Sequence, residues 1–268
     1  MDMVGIGSAA VCIGVAKLAS DRLVKDSENR RLLHRTVWLV TFLATFLLAM
    51  FYVNPLIRPT LAASRLDDSL AERPAIAALK AHYPEAYAEL VEDFKARIRA
   101  DIGASVDDVL AIDQAEANAL MYTNSRMPSA SDDAAFAYAG QAMKVLQSLS
   151  PYGECKHFER NPSQDVLAIT TRVDHNDWQS LQAAAARVLV TAAQSPMPAP
   201  TREAVLSYLR PIYQGLLSRH AGYDDLMTKP ELSESERFKY CKATVDLYAQ
   251  ILRLPPEQGG RVYRFLFL

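Results

Sequence analysis

Apolar residues follow two regimes along this chain. From Thr36 to Ile57 they run almost unbroken (TVWLVTFLATFLLAMFYVNPLI), twenty-two residues without a charge, bracketed by Arg35 and Arg58. Beyond residue 58 they recur at helical spacing and alternate with polar faces. The first regime predicts a membrane-spanning helix. At about 1.5 Å rise per residue the run reaches roughly 33 Å, enough for a bilayer core of about 30 Å. It is longer than the apolar region of a signal peptide, and it lacks the polar face of a core helix. Trp38 near one end and Phe51 and Tyr52 near the other stand where interfacial aromatics anchor a span. Pro55 restricts Asn54 and marks a helix exit.

The second regime predicts an all-α body, a bundle of about six to eight helices. Residues 58–82 read as a juxtamembrane helical linker, with Pro74 starting a new helix within it. Pro84 opens the first helix of the body, carrying Tyr83, Tyr87, Leu90, Val91, Phe94 and Ile98 on one face. Gly103 ends that helix, and Ser105 caps another running to about Tyr122. After the loop 124–131, Ser131 with Asp132 and Asp133 starts a helix ending near Leu149. Residues 150–175 are irregular, and Val166 to Val173 suits either a short strand or a helical turn. Helix resumes near Asn176, capped by the polar run Asp174 to Asp177, and runs through Trp178, Leu181, Ala185 and Leu189 to about Gln194. The connector SPMPAP (195–200) is stiff, and Thr201 opens a helix that Pro211 should kink. Ser233 and Glu236 have capping-box spacing ahead of a stripe formed by Phe238, Cys241, Val245, Tyr248 and Leu252. A last helix, from Glu257, ends in the apolar run Phe265, Leu266, Phe267 and Leu268. That run either folds back on the core or docks on a partner, and it is the candidate partner-binding surface. No alternation of strand type and no fixed-period repeat occurs.

Charge sets the orientation. Residues 1–35 hold six Lys/Arg and four Asp/Glu (+2), whereas residues 59–268 hold twenty-two and twenty-seven (−5). Arg30, Arg31 and Arg35 belong to a basic cluster just ahead of the apolar run, which keeps residues 1–35 in the cytoplasm. Residues 36–57 then cross the inner membrane once, and the domain of residues 83–268 lies on the extracytoplasmic, periplasmic side. Residues 3–19 form a second apolar segment, read either as a short interfacial helix or as a short first span. Neither reading moves the body. Its acidic balance argues against nucleic acid as a partner, because phosphate binding needs a basic face.

The three cysteines sharpen this picture. Cys12 lies in the N-terminal segment, while Cys155 and Cys241 fall in the body on the oxidising side. A disulfide between the latter two is the expectation, with two unrelated buried thiols as the alternative.

Motifs for chemistry are absent. The five histidines show no i, i+4 pair, and there is no H-E-x-x-H, paired C-x-x-C, G-x-S-x-G, P-loop or G-x-G-x-x-G. No metal, cofactor or catalytic residue is therefore assigned. The expected function is non-enzymatic: a membrane-tethered helical protein that binds both the bilayer and a protein partner in the envelope. By architecture alone it is of the type of toxin-neutralising immunity proteins or envelope assembly and secretion factors. The alternative is an envelope hydrolase with a site near residues 150–177, drawing on Cys155, His157, Asp174, His175 and Asp177.

Overall fold

The computed structural model describes residues 30–48, 68–100, 109–160, 162 and 166–268. Every regular element among them is helical. Two compact units separate: residues 1–66 with 95–106, and residues 67–94 with 107–268.

In the first unit, helix α1 spans Arg30–Leu48. It starts six residues before the uncharged run and covers that run as far as Leu48. Leu39, Val40, Leu43 and Leu47 stand 44–60% exposed on one stripe. The opposite stripe stacks Trp38 on Phe42 and Phe42 on Phe46, with centroids 5.4 and 5.9 Å apart. The hydroxyls of Thr41 and Thr45 donate to the carbonyls of Val37 and Thr41 at 2.7 Å, so neither polar group needs a partner outside the helix. No helix among the described residues is long and apolar enough to cross a membrane. Phe51, Tyr52 and the segments 3–19 and 49–57 lie outside the described residues.

Eleven α-helices of the second unit have bounds among the described residues, with α3 running past its edge, and residues 68–71 are helical as well. They are α2 Pro74–His82, α3 Pro84–Ala100, α4 Val109–Arg126, α5 Asp132–Leu149, α6 Cys155–Arg160, α7 Val166–Thr170, α8 His175–Gln194, α9 Arg202–Arg219, α10 Tyr223–Thr228, α11 Glu234–Ile251 and α12 Pro256–Phe265. The excess over six to eight has a local cause. Helices α6, α7 and α10 are only five or six residues long, too short to show an apolar period.

Helices α5 and α8 form the centre. Helix α8 packs on α2, α4 and α5, and α5 packs on α11 and α12. Both present small buried residues at the contacts, Ala134, Ala135, Ala139 and Ala142 on α5 and Ala184, Ala185 and Ala192 on α8. Small side chains there let the axes approach closely. Several capping predictions hold. The side chains of Ser131, Asp174 and Thr201 accept hydrogen bonds from Ala134, Asn176 and Ala204 amides, and Ser233 with Glu236 forms the capping box. Residues 68–82 add to the compact unit, with Leu70, Ala75, Ile76 and Leu79 almost fully buried.

Helix α12 is seated by two unusual features. Gly260 lies so close to the start of α5 that an added Cβ would meet the Asp132 carbonyl oxygen at 1.9 Å. Arg264 is 1% exposed, and its guanidinium donates to Asp132 Oδ1 at 2.7 Å, twice to the Pro128 carbonyl, and to the Pro198 carbonyl. One side chain thus ties α12 to the α4–α5 turn, to α5 and to the stiff 195–200 connector.

Cys155 and Cys241 are disulfide-bonded with their Cα atoms 5.2 Å apart, joining α6 to α11. The bridge closes a loop of 86 residues. In the chain-entropy account it contributes roughly 4 kcal/mol. Reduction, or Cys155→Ser with Cys241→Ser, is therefore expected to lower the stability of the body by about 2–4 kcal/mol in urea unfolding. Gly260→Ala is expected to cost about 3 kcal/mol or more, because the clash is with backbone that cannot rotate away. Gly140→Ala, where the nearest atom to the new Cβ lies at 3.9 Å, is expected instead to stabilise α5 by roughly 0.5–1 kcal/mol. Equal effects of the two glycine substitutions would refute this account of the α12 seat.

Candidate functional site

Helices α4, α5, α6, α10, α11 and α12 enclose a cavity of about 310 Å³. Seven of its fifteen described lining residues are aromatic. Tyr138 comes from α5, Phe158 from α6, Tyr223 from α10, Tyr240 and Tyr248 from α11, and Tyr263 and Phe267 from α12 and its end. Glu159, on α6, is the one acidic residue among the described residues that line it. The rings form two sets. Tyr223 and Tyr240 lie 5.7 Å apart. Tyr263 touches Tyr138, Tyr248 and Phe267 at 6.1, 5.5 and 5.2 Å.

Local sequence explains how the groups converge. On α11 the positions 240, 244, 247, 248 and 251 follow helical spacing, and all five are buried. The face turned to the interior is thus a blend of Tyr, Thr and aliphatic residues. It differs from the expected stripe: Cys241 and Tyr248 are buried, but Phe238 is 42% exposed and Val245 and Leu252 are half-buried. The cavity draws the tyrosines inward and leaves Phe238 outside. The disulfide fixes Cys155 on α6, and Glu159 stands four residues later on the same face.

The polar groups are mostly paired with each other. Tyr240 donates to Glu159 Oε2 at 2.7 Å. The hydroxyls of Tyr223 and Thr244 lie 3.0 Å apart, those of Tyr248 and Tyr263 3.3 Å apart, and Tyr138 donates to Asn124 Oδ1 at 3.3 Å. Burial pushes the Glu159 carboxyl up to about 7, against the opposing hydrogen bonds of Tyr240 and Tyr248. Burial also drives the phenols of Tyr138, Tyr223, Tyr240, Tyr248 and Tyr263 upward, and the Glu159 charge adds to this at the last four. The phenols therefore stay neutral near pH 7, and Glu159 is the group of the cavity wall that changes charge there.

The hydrolase residues do not converge. Cys155 is consumed in the disulfide. His157 faces Glu154, its Nδ1 3.4 Å from the carboxylate. Asp174 caps α8, and Asp177 pairs loosely with Lys144 at 3.9 Å. His175 lines a separate concavity beside Arg73, Asp113, Trp178 and Gln179. Behind that concavity Trp178 donates its indole N–H to the buried Glu116 at 2.6 Å, and Arg73 lies 3.5 Å from the other carboxylate oxygen. Burial raises the Glu116 carboxyl. No group of three or more metal-ligating side chains occurs among the described residues. Of the C-terminal run, Leu266 and Phe267 line the cavity, and Leu266 and Leu268 are 40% and 67% exposed.

Glu159 and the tyrosine ring around it were not singled out from the sequence. The available signal was a high tyrosine content, twelve in all, with several on apolar stripes. A tyrosine on such a stripe brings a hydroxyl into the interior, which then requires a partner.

The folded state holds the Glu159 proton more tightly than the unfolded chain does. Its contribution to stability is fully present below the unfolded value of about 4.5 and is lost as pH rises through about 7. Wild-type protein is therefore expected to lose roughly 1–3 kcal/mol relative to Glu159→Gln between about pH 5 and pH 8. Parallel stability profiles in chemical denaturation would show that burial of the carboxyl carries no such cost.

Comparison with protein-family models, with curated proteins and with solved structures finds no match to this chain.

Proposed function

We propose that this protein is a membrane-tethered, non-enzymatic helical module of the cell envelope that binds a protein partner there, in the manner of toxin-neutralising immunity proteins or envelope assembly and secretion factors. The observation that carries the reading is the buried Cys155–Cys241 disulfide. Disulfides persist in oxidising compartments, and the Lys/Arg cluster before residue 36 independently favours an extracytoplasmic body. The tether is the uncharged run 36–57. Its described part, in α1, presents Leu39, Val40, Leu43 and Leu47 outward and satisfies its threonine hydroxyls on its own backbone, as a lipid-facing helix must. Tethering holds the body at the membrane surface and raises its effective concentration toward a partner in the same plane. The exposed Leu266 and Leu268 offer the partner an apolar contact beside Phe267.

An envelope enzyme is the second reading, favoured by the Glu159 carboxyl, which titrates near neutrality inside a cavity. It is the weaker one. General acid–base or nucleophilic catalysis needs a second active group, and the phenols around Glu159 are held neutral.

The test is the redox and labelling state in intact membranes. A faster-migrating form in non-reducing gels is expected, abolished by reductant and by Cys155→Ser, together with protease access to the body from the extracytoplasmic side. Photocrosslinking from position 268 is expected to trap an envelope protein. Free thiols at both Cys155 and Cys241 in rapidly quenched cells, with the body protected from outside, would overturn the assignment.

A further inference from the structure

We propose that the tyrosine-walled cavity around Glu159 binds a small organic cation, a primary or quaternary ammonium compound, with the Glu159 carboxylate as its counter-charge. The inference is independent of the membrane tether and of any protein partner, since the cavity lies wholly within the second compact unit.

Charge selects the class of ligand. Among the described residues that line the cavity, Glu159 is the charged one, and none is Lys, Arg or His. The two cations nearest in sequence are not among the lining residues, but both act on the Glu159 carboxyl, and Lys156 lies over the Tyr240 ring, 5.4 Å from its centroid. Lys156 donates to the carbonyls of Leu226 and Lys229, and Arg160 donates to the carbonyl of Met227. Both therefore brace α10 against α6. An anion entering the cavity would meet the Glu159 carboxylate, while Lys156 and Arg160 are already engaged by backbone carbonyls.

The walls reinforce the choice. Aromatic rings carry negative charge on their faces, so a cation among them gains attraction beyond that of its carboxylate partner. Five tyrosines and two phenylalanines supply that π surface. Their hydroxyls are largely spent on one another, on Thr244 and on Asn124. A neutral ligand seeking hydrogen bonds therefore finds few free partners, whereas an ammonium group finds both a carboxylate and π surface.

Size bounds the ligand. About 310 Å³ is at the lower end of small-molecule sites. The opening is marked by Leu266, which lines the cavity and is 40% exposed. The Tyr240 hydroxyl and the nearby cations compensate the Glu159 carboxylate only in part, since burial still raises it, and a bound cation lowers the remaining cost.

The test uses the full chain in a non-ionic detergent and two probe pairs of matched shape: choline against 3,3-dimethyl-1-butanol, and n-butylammonium against n-butanol. Binding is read by calorimetry and by the thermal midpoint, at ligand concentrations up to about 10 mM. At least one ammonium probe is expected to bind and to raise the midpoint at about pH 8, with its neutral counterpart at least tenfold weaker. Glu159→Gln is expected to lose at least tenfold in ammonium affinity. Its fold is checked by circular dichroism, and Phe238→Ala, at an exposed position of α11 that does not line the cavity, is expected to retain binding within a few-fold.

The charge of choline does not change with pH, so its affinity should fall as Glu159 takes up a proton between about pH 8 and pH 5. The groups that face Glu159 are Lys156 and Arg160 on its own helix, Tyr240 and Tyr248 on α11, and Tyr223 and Tyr263 on α10 and α12. The Glu159→Gln variant, which keeps all of these, should show no such fall. Equal binding of charged and neutral partners, unchanged ammonium affinity in Glu159→Gln, or no ammonium binding at about 10 mM and pH 8 would each overturn the proposal.

Discussion

A buried arginine organises the second unit. Arg264 has its charge balanced by Asp132 and its remaining donors taken by the carbonyls of Pro128 and Pro198 and by the Met197 sulfur. Removing one partner of such a group leaves an uncompensated charge in the interior, typically a loss of 3–5 kcal/mol, so its neighbours are held in place as a set. Those neighbours are the α4–α5 turn, the start of α5 and the proline-rich connector, which are distant in sequence. The glycine at 260 makes the same seat possible sterically. With α12 fixed, Tyr263 is one residue from the anchor and has no freedom to leave the cavity wall. The position of that wall therefore follows from an ion pair outside the cavity.

The opposite wall depends on a covalent constraint. Helix α6 has only six residues, too few to be stable alone. It is held by the disulfide to α11, by Lys156 bonded to the α10 segment, and by Tyr240 bonded to Glu159. A one-and-a-half-turn helix thus delivers a carboxyl to a fixed point among phenols. The cavity is the space left where two independently anchored walls fail to meet.

Much of the fold was legible in the sequence, because helices announce themselves by caps and by long apolar periods. Ser131, Asp174, Thr201 and the Ser233/Glu236 box are where such signals placed them. Trp178, Leu181, Ala185 and Leu189 are buried as their spacing required. The pairing of Cys155 with Cys241 was expected from the cysteine count and from the oxidising side proposed for the body. The short helices α6, α7 and α10 were not legible, since five or six residues hold too little period to detect. Glu159 was hidden for a related reason. A single acidic residue in an irregular stretch looks solvated until the tertiary fold brings in Tyr240, 81 residues away. Likewise the glycine pair at 259–260 has no meaning in sequence without Asp132 and Phe136 opposite it.

The two tryptophans, Trp38 and Trp178, fall one in each compact unit. Trp38 stacks on Phe42 along an apolar helix, while Trp178 is 3% exposed and gives its indole N–H to a carboxyl. Indole emission is sensitive to the polarity and charge around the ring. The molecule thus carries two built-in optical reporters with unlike surroundings. Replacing either tryptophan with phenylalanine would leave the other to record the state of its own unit, without any added label.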